Sequence, residues 1–243
     1  MSAYTPNFAP VVVLLFLGSI FITGVALLAL FYGAIRRSEF VAGLGAVSAV
    51  IVIIGYALVL CGVSIASSEK VLPPGGWKYF CEIDCHIAYS VQSARIAAAF
   101  GPELQPISAK GQFVVVHLKT WFDENTISPH RGNGPLQSGD RLVVLADDAG
   151  HTYAPSAAGE AALSRAEGAP IPLDQALRPG ESFVTSFVFD APKDASGLRL
   201  LVTDPADDWL SRVIIGHEDS FMHKKIYLGV EPNVVIRSSG IFR

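Results

Sequence analysis

VVVLLFLGSIFITGVALLALFYGAI (residues 11–35), RRSE (36–39) and FVAGLGAVSAVIVIIGYALVLCGVSIAS (40–67) decide the architecture: two uncharged apolar runs joined by a short charged link. A helix needs about 20 mostly apolar residues to cross a hydrocarbon core about 30 Å thick. Both runs exceed that length and fit a bilayer with some tilt. The polar entries of the second run, Ser48, Tyr56 and Ser64, are of a kind that can bond to their own helix backbone. A cleaved signal peptide would need a basic leading region ahead of a short apolar core, and residues 1–10 contain no Lys or Arg. The expectation is an antiparallel transmembrane hairpin over 11–67, after an N-terminal leader over 1–10.

Basic residues near span ends are retained on the cytoplasmic side. Arg36 and Arg37 occupy the link, so the link is expected inside, with the N-terminus and everything beyond Ser67 outside. That describes a two-pass protein of the bacterial inner membrane with a periplasmic domain. Lys70 and Lys78 count slightly against this orientation, whereas Trp77, after Pro73-Pro74-Gly75-Gly76, suits an outer interfacial aromatic belt. In the second run, Ala42 with Ala46 and Gly45 with Ala49 recur four apart, which lets another backbone approach closely. That face suits either the first span or a foreign subunit.

Of the 243 residues, those after about position 70 suffice for one domain with a real core. The formal charge is −4, and the link itself contributes a net positive charge, so the rest is acidic. A basic patch is the footprint of nucleic-acid binding, and none is visible. Cys61 lies inside the second run and reads as a small buried hydrophobe. Cys81 and Cys85 fall in a compartment where disulfides persist.

Residues 68–78 read as a Pro-Gly linker. From Tyr79 to Val91, Tyr79, Cys81, Ile83, Cys85, Ile87 and Tyr89 alternate with Glu82, Asp84, His86 and Ser90, which argues for strand structure. In 111–122, Val114, Val116, Leu118 and Phe122 fall on one face and His117 and Lys119 on the other, the pattern of a central strand. Residues 123–140 are rich in Asn, Gly, Pro and Ser and predict a long loop, a candidate contact surface. A strand over 141–146, a turn at Asp147-Asp148-Ala149-Gly150 and a return strand at Tyr153 form a hairpin. A short helix is expected over 157–166, then strands over 183–190 and 198–203.

Several short strands at this spacing predict an antiparallel β-sandwich over 79–203. GQFVVV (111–116), LADDAGHTY (145–153), LRPGES (177–182), VFDAP (188–192) and GLRL (197–200) together resemble an immunoglobulin-like extracytoplasmic domain family of bacterial membrane-anchored proteins and lipoproteins, a domain of unknown function. The resemblance covers roughly 89–203 and implies a sandwich used for contacts, without catalytic residues. The chain departs from that family in its hairpin, the Cys81 segment, the 123–140 loop and the extension over 204–243. Apolar Trp209, Leu210, Phe221 and Leu228 in this extension need a surface, on the sandwich or on a partner.

Cys81-Glu82-Ile83-Asp84-Cys85-His86 admits three readings. A c-type haem site uses C-x-x-C-H, and here three residues separate the cysteines. A dinuclear copper site like that of respiratory oxidase subunit two has a C-x-x-x-C element, but that family places His four residues after the second cysteine, where Tyr89 stands. A disulfide needs Cα atoms about 4.4–6.8 Å apart, against about 13 Å in a regular strand, so it needs a turn at 82–84 and conflicts with the alternation. The disulfide is the favoured expectation, with no cofactor and no metal. His217-Glu218-Asp219 with His223 lacks the spacing of H-E-x-x-H and reads as a solvated polar face, and Asp147-Asp148 and Asp207-Asp208 read as turn acids.

No motif of good specificity marks an enzyme. The expected role is a non-catalytic accessory subunit, with membrane lipids and the other subunits of a larger bacterial membrane complex as partners. A photosynthetic reaction-centre and light-harvesting complex ranks first by class and a respiratory complex second. A copper or haem module and a free-standing adhesion or ligand-sensing domain are the alternatives.

Overall fold

The computed structural model describes residues 3–4, 9–80, 86–100, 107–205 and 209–234. Two helices, α1 (Ala9–Ile35) and α2 (Glu39–Ala66), form an antiparallel pair, each long and apolar enough to cross a membrane. Their outer faces are covered by exposed Leu, Ile, Val and Phe, and only a narrow seam is buried. A Cβ on Gly45 would lie 2.5 Å from the Leu30 nitrogen and 2.6 Å from the Ala26 oxygen, so glycine is what lets the two backbones touch. Ala49 and Ala26 are buried beside it, and Gly33 meets Ala42 one helical turn nearer the link. The Ala42, Gly45, Ala46, Ala49 face is therefore turned, at least through Ala42 and Gly45, toward α1 of the same chain.

The link closes as a Schellman motif: the Ser38 N–H donates to the Gly33 oxygen at 2.8 Å and the Arg37 N–H to the Ala34 oxygen at 3.3 Å. Arg37 takes the left-handed position, φ +56°, that glycine normally fills. A left-handed L-residue costs about 1–2 kcal/mol, so a second basic residue stands in the link despite backbone strain.

The remainder is a mainly-β domain of two sheets. Its strands are β1 (Ala3–Tyr4), β2 (Lys70–Leu72), β3 (Trp77–Tyr79), β4 (Ile87–Phe100), β5 (Ile107–Phe122), β6 (Leu142–Ala146), β7 (Thr152–Tyr153), β8 (Ser182–Ala191), β9 (Arg199–Thr203), β10 (Ile226–Gly229) and β11 (Asn233–Val234). One sheet runs β1-β3-β4-β5-β8, with β11 also on β4; the other runs β2-β10-β9-β6-β7. Their facing sides share one core, in which Tyr89, Val114, Val116, Leu118, Phe122 and Phe189 meet Val143, Leu145, Leu200, Val202 and Leu228. The central-strand pattern is realised in β5, which lies between β4 and β8. Its opposite face, Phe113 and Val115, is also fully buried, because α3 (Ala157–Glu167) covers it. Ser156 caps α3 by accepting from the Gly159 N–H, and Gly159 lets the helix close on β8, where a Cβ would lie 2.6 Å from the Val188 side chain.

Four expectations need correction. Pairing is antiparallel through the centre, but β1 with β3, β2 with β10 and β11 with β4 are parallel. Residues 68–78 are no linker, since they carry β2 and β3, one strand for each sheet. Within the 204–243 extension, Ile226–Gly229 form β10, seated between β2 and β9, so this part belongs to the domain's own framework. Of the alternation read from Tyr79 to Val91, Tyr79 ends β3 and Ile87 to Val91 open β4, two separate strands that pair antiparallel with Lys78 opposite Tyr89. Cys81 and Cys85, the suspected disulfide, lie outside the described residues, as do Asp207 and Asp208.

Candidate functional site

The strongest concentration of polar chemistry lies where the β domain meets α2. Strand alternation turns Trp77 and Tyr79 to the outer face of the first sheet and Lys78 inward, between the sheets. There the Lys78 side chain is fully buried. Its Nζ donates to the Val202 oxygen at 2.6 Å, the Ile226 oxygen at 2.9 Å and Glu218 Oε1 at 2.8 Å, with Glu218 Oε2 at 2.7 Å. Burial pulls the Lys78 ammonium below its ordinary pKa, and the Glu218 carboxylate opposes that shift. Phe80 lies beneath both Lys78, at 4.9 Å, and Arg141, at 4.1 Å.

Beside this pair Arg141 is bound to Asp204, whose second oxygen lies 3.3 Å from His217 Nε2. Asp219 accepts from Thr203 Oγ1 at 2.6 and 2.8 Å and pairs with Lys225. Burial would raise the Asp219 carboxyl, but Lys225, Thr203 and His217 more than offset it and hold the pKa below its usual value. Three cations thus face three carboxylates in a largely water-free junction. Asp204, His217 and Asp219 place potential ligand atoms within 4.8 Å of one another. A metal there would have to displace Arg141 from Asp204, and Lys225 and Thr203 from Asp219. The arrangement is an ion-pair cluster, and it corrects the reading of His217-Glu218-Asp219 as a solvated face: Glu218 is buried, and His217 and Asp219 are largely so.

From this cluster the 209–223 segment reaches down along α2. The Tyr56 hydroxyl donates to the Val213 oxygen at 2.6 Å, Ser64 Oγ lies 3.4 Å from Ser220 Oγ, and the Ser67 hydroxyl accepts from the Lys224 N–H at 2.9 Å. Tyr56 and Ser64 therefore serve the junction and not their own helix backbone. Ser64 is fully buried and Leu60, between them, nearly so. An open cleft of about 440 Å³ remains at the same joint, lined by Tyr4, Val63, Ser67, Lys70 and His223. A larger open cleft, about 740 Å³, lies at the opposite ends of β9 and β10, beside Arg199 and Gly229.

Other residues singled out in the sequence are held in separate local networks. His86 bonds Thr126 Oγ1 through Nδ1 at 2.6 Å and stacks on Phe122. Trp77 packs against Trp121 at 5.1 Å between ring centroids. Asp147 organises its turn as expected: it accepts from the His151 N–H at 2.9 Å and the Tyr153 hydroxyl at 2.7 Å. These bonds, Tyr153's first, hold the Asp147 carboxyl down to about 2, and the same contact pushes the Tyr153 phenol up to about 12.

Lys78, Arg141 and Tyr56 escaped the sequence reading as site residues. A sequence signal existed for the last: Tyr56, Leu60 and Ser64 recur four apart and share one stripe of α2. For Lys78, alternation reports which residues share a face, and only the tail's Glu218, 140 positions away, decides that a lysine occupies the inner one.

No protein-family model and no curated protein matches the sequence. Two solved structures are similar at low levels. A conserved hypothetical protein from Bacillus anthracis is 16% identical over 51% of this chain and 89% of its own, with a TM-score of 0.38. A secreted protein from Mycobacterium tuberculosis is 10% identical over 68% of this chain and 99% of its own, with a TM-score of 0.41. Neither likeness carries an argument about this chain.

Proposed function

We propose that the chain is a two-pass protein of a bacterial inner membrane, with Arg36-Arg37 in the cytoplasm and the β domain in the periplasm. There it acts as a non-catalytic accessory subunit that stabilises a larger membrane complex. The observation that carries this reading is the junction itself. The titratable groups at its upper side are engaged with one another and hold the 217–225 segment to the sheets. Tyr56, Ser64 and Ser67 hold the overlapping 213–224 stretch to α2, so together they fix the domain to the hairpin. Outside the seam at Gly45, the apolar circumference of both helices is left for lipid or foreign helices.

A domain held at a set height and angle above two helices can brace neighbouring subunits on the periplasmic side. The 123–140 loop and the outer faces of α1 and α2 are the surfaces offered. The immunoglobulin-like kinship belongs to this proposal, as a sandwich used for contact. So does the class of complex: a photosynthetic reaction-centre and light-harvesting assembly first, a respiratory one second. Deleting the chain from its native host tests the role. Loss of intact complex, with chemistry per remaining complex unchanged, is the expected result; unchanged complex yield would contradict it.

A further inference from the structure

Among the described residues outside α1 and α2, the large apolar side chains left exposed are Val71, Leu142, Ile171, Trp209, Leu210, Phe221 and Met222. The first three are scattered, but the other four belong to one loop. It is closed on itself by the Phe221 N–H donating to the Arg212 oxygen at 3.0 Å and the Val213 N–H to the Leu210 oxygen at 3.1 Å. Trp209 is 68% exposed and Phe221 64%. A clustered exposed apolar patch marks a contact, where single exposed residues do not.

The height of this loop says what the contact is. At about 1.5 Å per residue, Tyr56 lies about 15 Å below the end of α2 at Ala66, and its hydroxyl holds Val213. Counting about 20 residues of hydrocarbon thickness from Phe40, just after the basic link, ends near Val59. Tyr56 therefore stands just inside the outer boundary of the apolar layer, with Val213 at that boundary. Aromatic and apolar side chains at this depth partition into the region between headgroups and acyl chains. Exposed Lys224 borders the loop, a residue type that meets lipid phosphates.

We propose that the 209–222 loop is an interfacial anchor that inserts Trp209, Leu210, Phe221 and Met222 into the outer leaflet, giving the β domain a second hold on the membrane. This rests on the reading of α1 and α2 as spans. The test uses the full chain reconstituted in phosphatidylcholine vesicles, with or without acyl chains brominated near the headgroup. The chain has three tryptophans, and Trp77 and Trp121 pack together on the first sheet. Bromolipid should quench wild-type emission, most of that quenching should vanish in Trp209→Phe, and acrylamide should reach Trp209 poorly. Equal quenching in wild type and Trp209→Phe would overturn the proposal, as would free access of acrylamide to Trp209. Shielding of Trp209 from both quenchers would overturn it too, in favour of a protein contact. Failure of the spans themselves would show separately, as extraction of the chain from the vesicles by alkaline carbonate.

Discussion

The Tyr56 hydroxyl donates to the Val213 carbonyl oxygen across 2.6 Å, tying the second apolar helix to a loop 157 residues further on. A domain joined only by a flexible linker would need no such bond. Ser64 with Ser220, and Ser67 with the Lys224 N–H, repeat the tie at successive heights, while Lys78 holds Glu218 of the same segment to the sheets.

Tyr56→Phe removes the donor and keeps the ring. A net hydrogen bond contributes about 0.5–1.5 kcal/mol, so global unfolding should change little. Backbone amides of the 209–223 segment should exchange with deuterium several-fold faster in the full-length protein. Unchanged exchange would show that the loop is held without Tyr56.

Lys78 and Glu218 are a buried pair, for which removing one partner costs far more than removing both. Lys78→Met strands the Glu218 carboxylate and should lower stability by about 3–5 kcal/mol. Lys78→Met combined with Glu218→Leu should recover much of that loss, read as melting temperature in mild detergent. Equal losses in the single and double variants would contradict the pairing.

Asp147 predicts an acid limb. Its carboxyl sits at about 2 in the folded protein against an ordinary 3.8. The stability it lends is present above about 3.8 and disappears as pH falls toward 2, because the unfolded chain binds the proton more readily. Melting temperature should therefore drop across that window, and Asp147→Asn should flatten this part of the profile while lowering stability at neutral pH.

Much of the architecture is legible in the sequence, because its signals are local. The two apolar runs, the β5 alternation, the Asp147 turn and the 157–166 helix each declare themselves within a few residues. What was not legible is long-range. Residues 68–78 look like a linker until Ile226 to Leu228 pair with Lys70 to Leu72. His217-Glu218-Asp219 look solvated until Lys78 and Arg141 arrive from distant positions to join the nearby Lys225. The candidate junction was therefore almost invisible, although Tyr56 and Ser64 within an otherwise apolar helix were a usable hint.

Gly45 and Gly43 separate the two faces of α2. Gly45→Leu drives a side chain into the Leu30 and Ala26 backbone and should open the hairpin, lowering the yield of monodisperse protein sharply. Gly43 has no atom within 4 Å of a built Cβ, so Gly43→Leu should leave the isolated chain intact. Weaker co-purification of Gly43→Leu with other subunits would place a partner helix on that face.

Orientation is read by an impermeant thiol reagent with peptide-resolved mass spectrometry, using Ser38→Cys in the link and Asn133→Cys on the exposed 123–140 loop. In intact spheroplasts Asn133→Cys should label and Ser38→Cys should stay protected until the membrane is opened. The reverse pattern would invert the topology.

The claim that this chain braces a larger assembly is tested most directly by purifying a tagged copy from native membranes in mild detergent and identifying the chains that elute with it. Stoichiometric co-elution with multi-pass subunits of one energy-transducing complex is expected, and the identity of those subunits separates a reaction centre from a respiratory assembly. Elution of the chain alone, folded and free of other subunits, would contradict it.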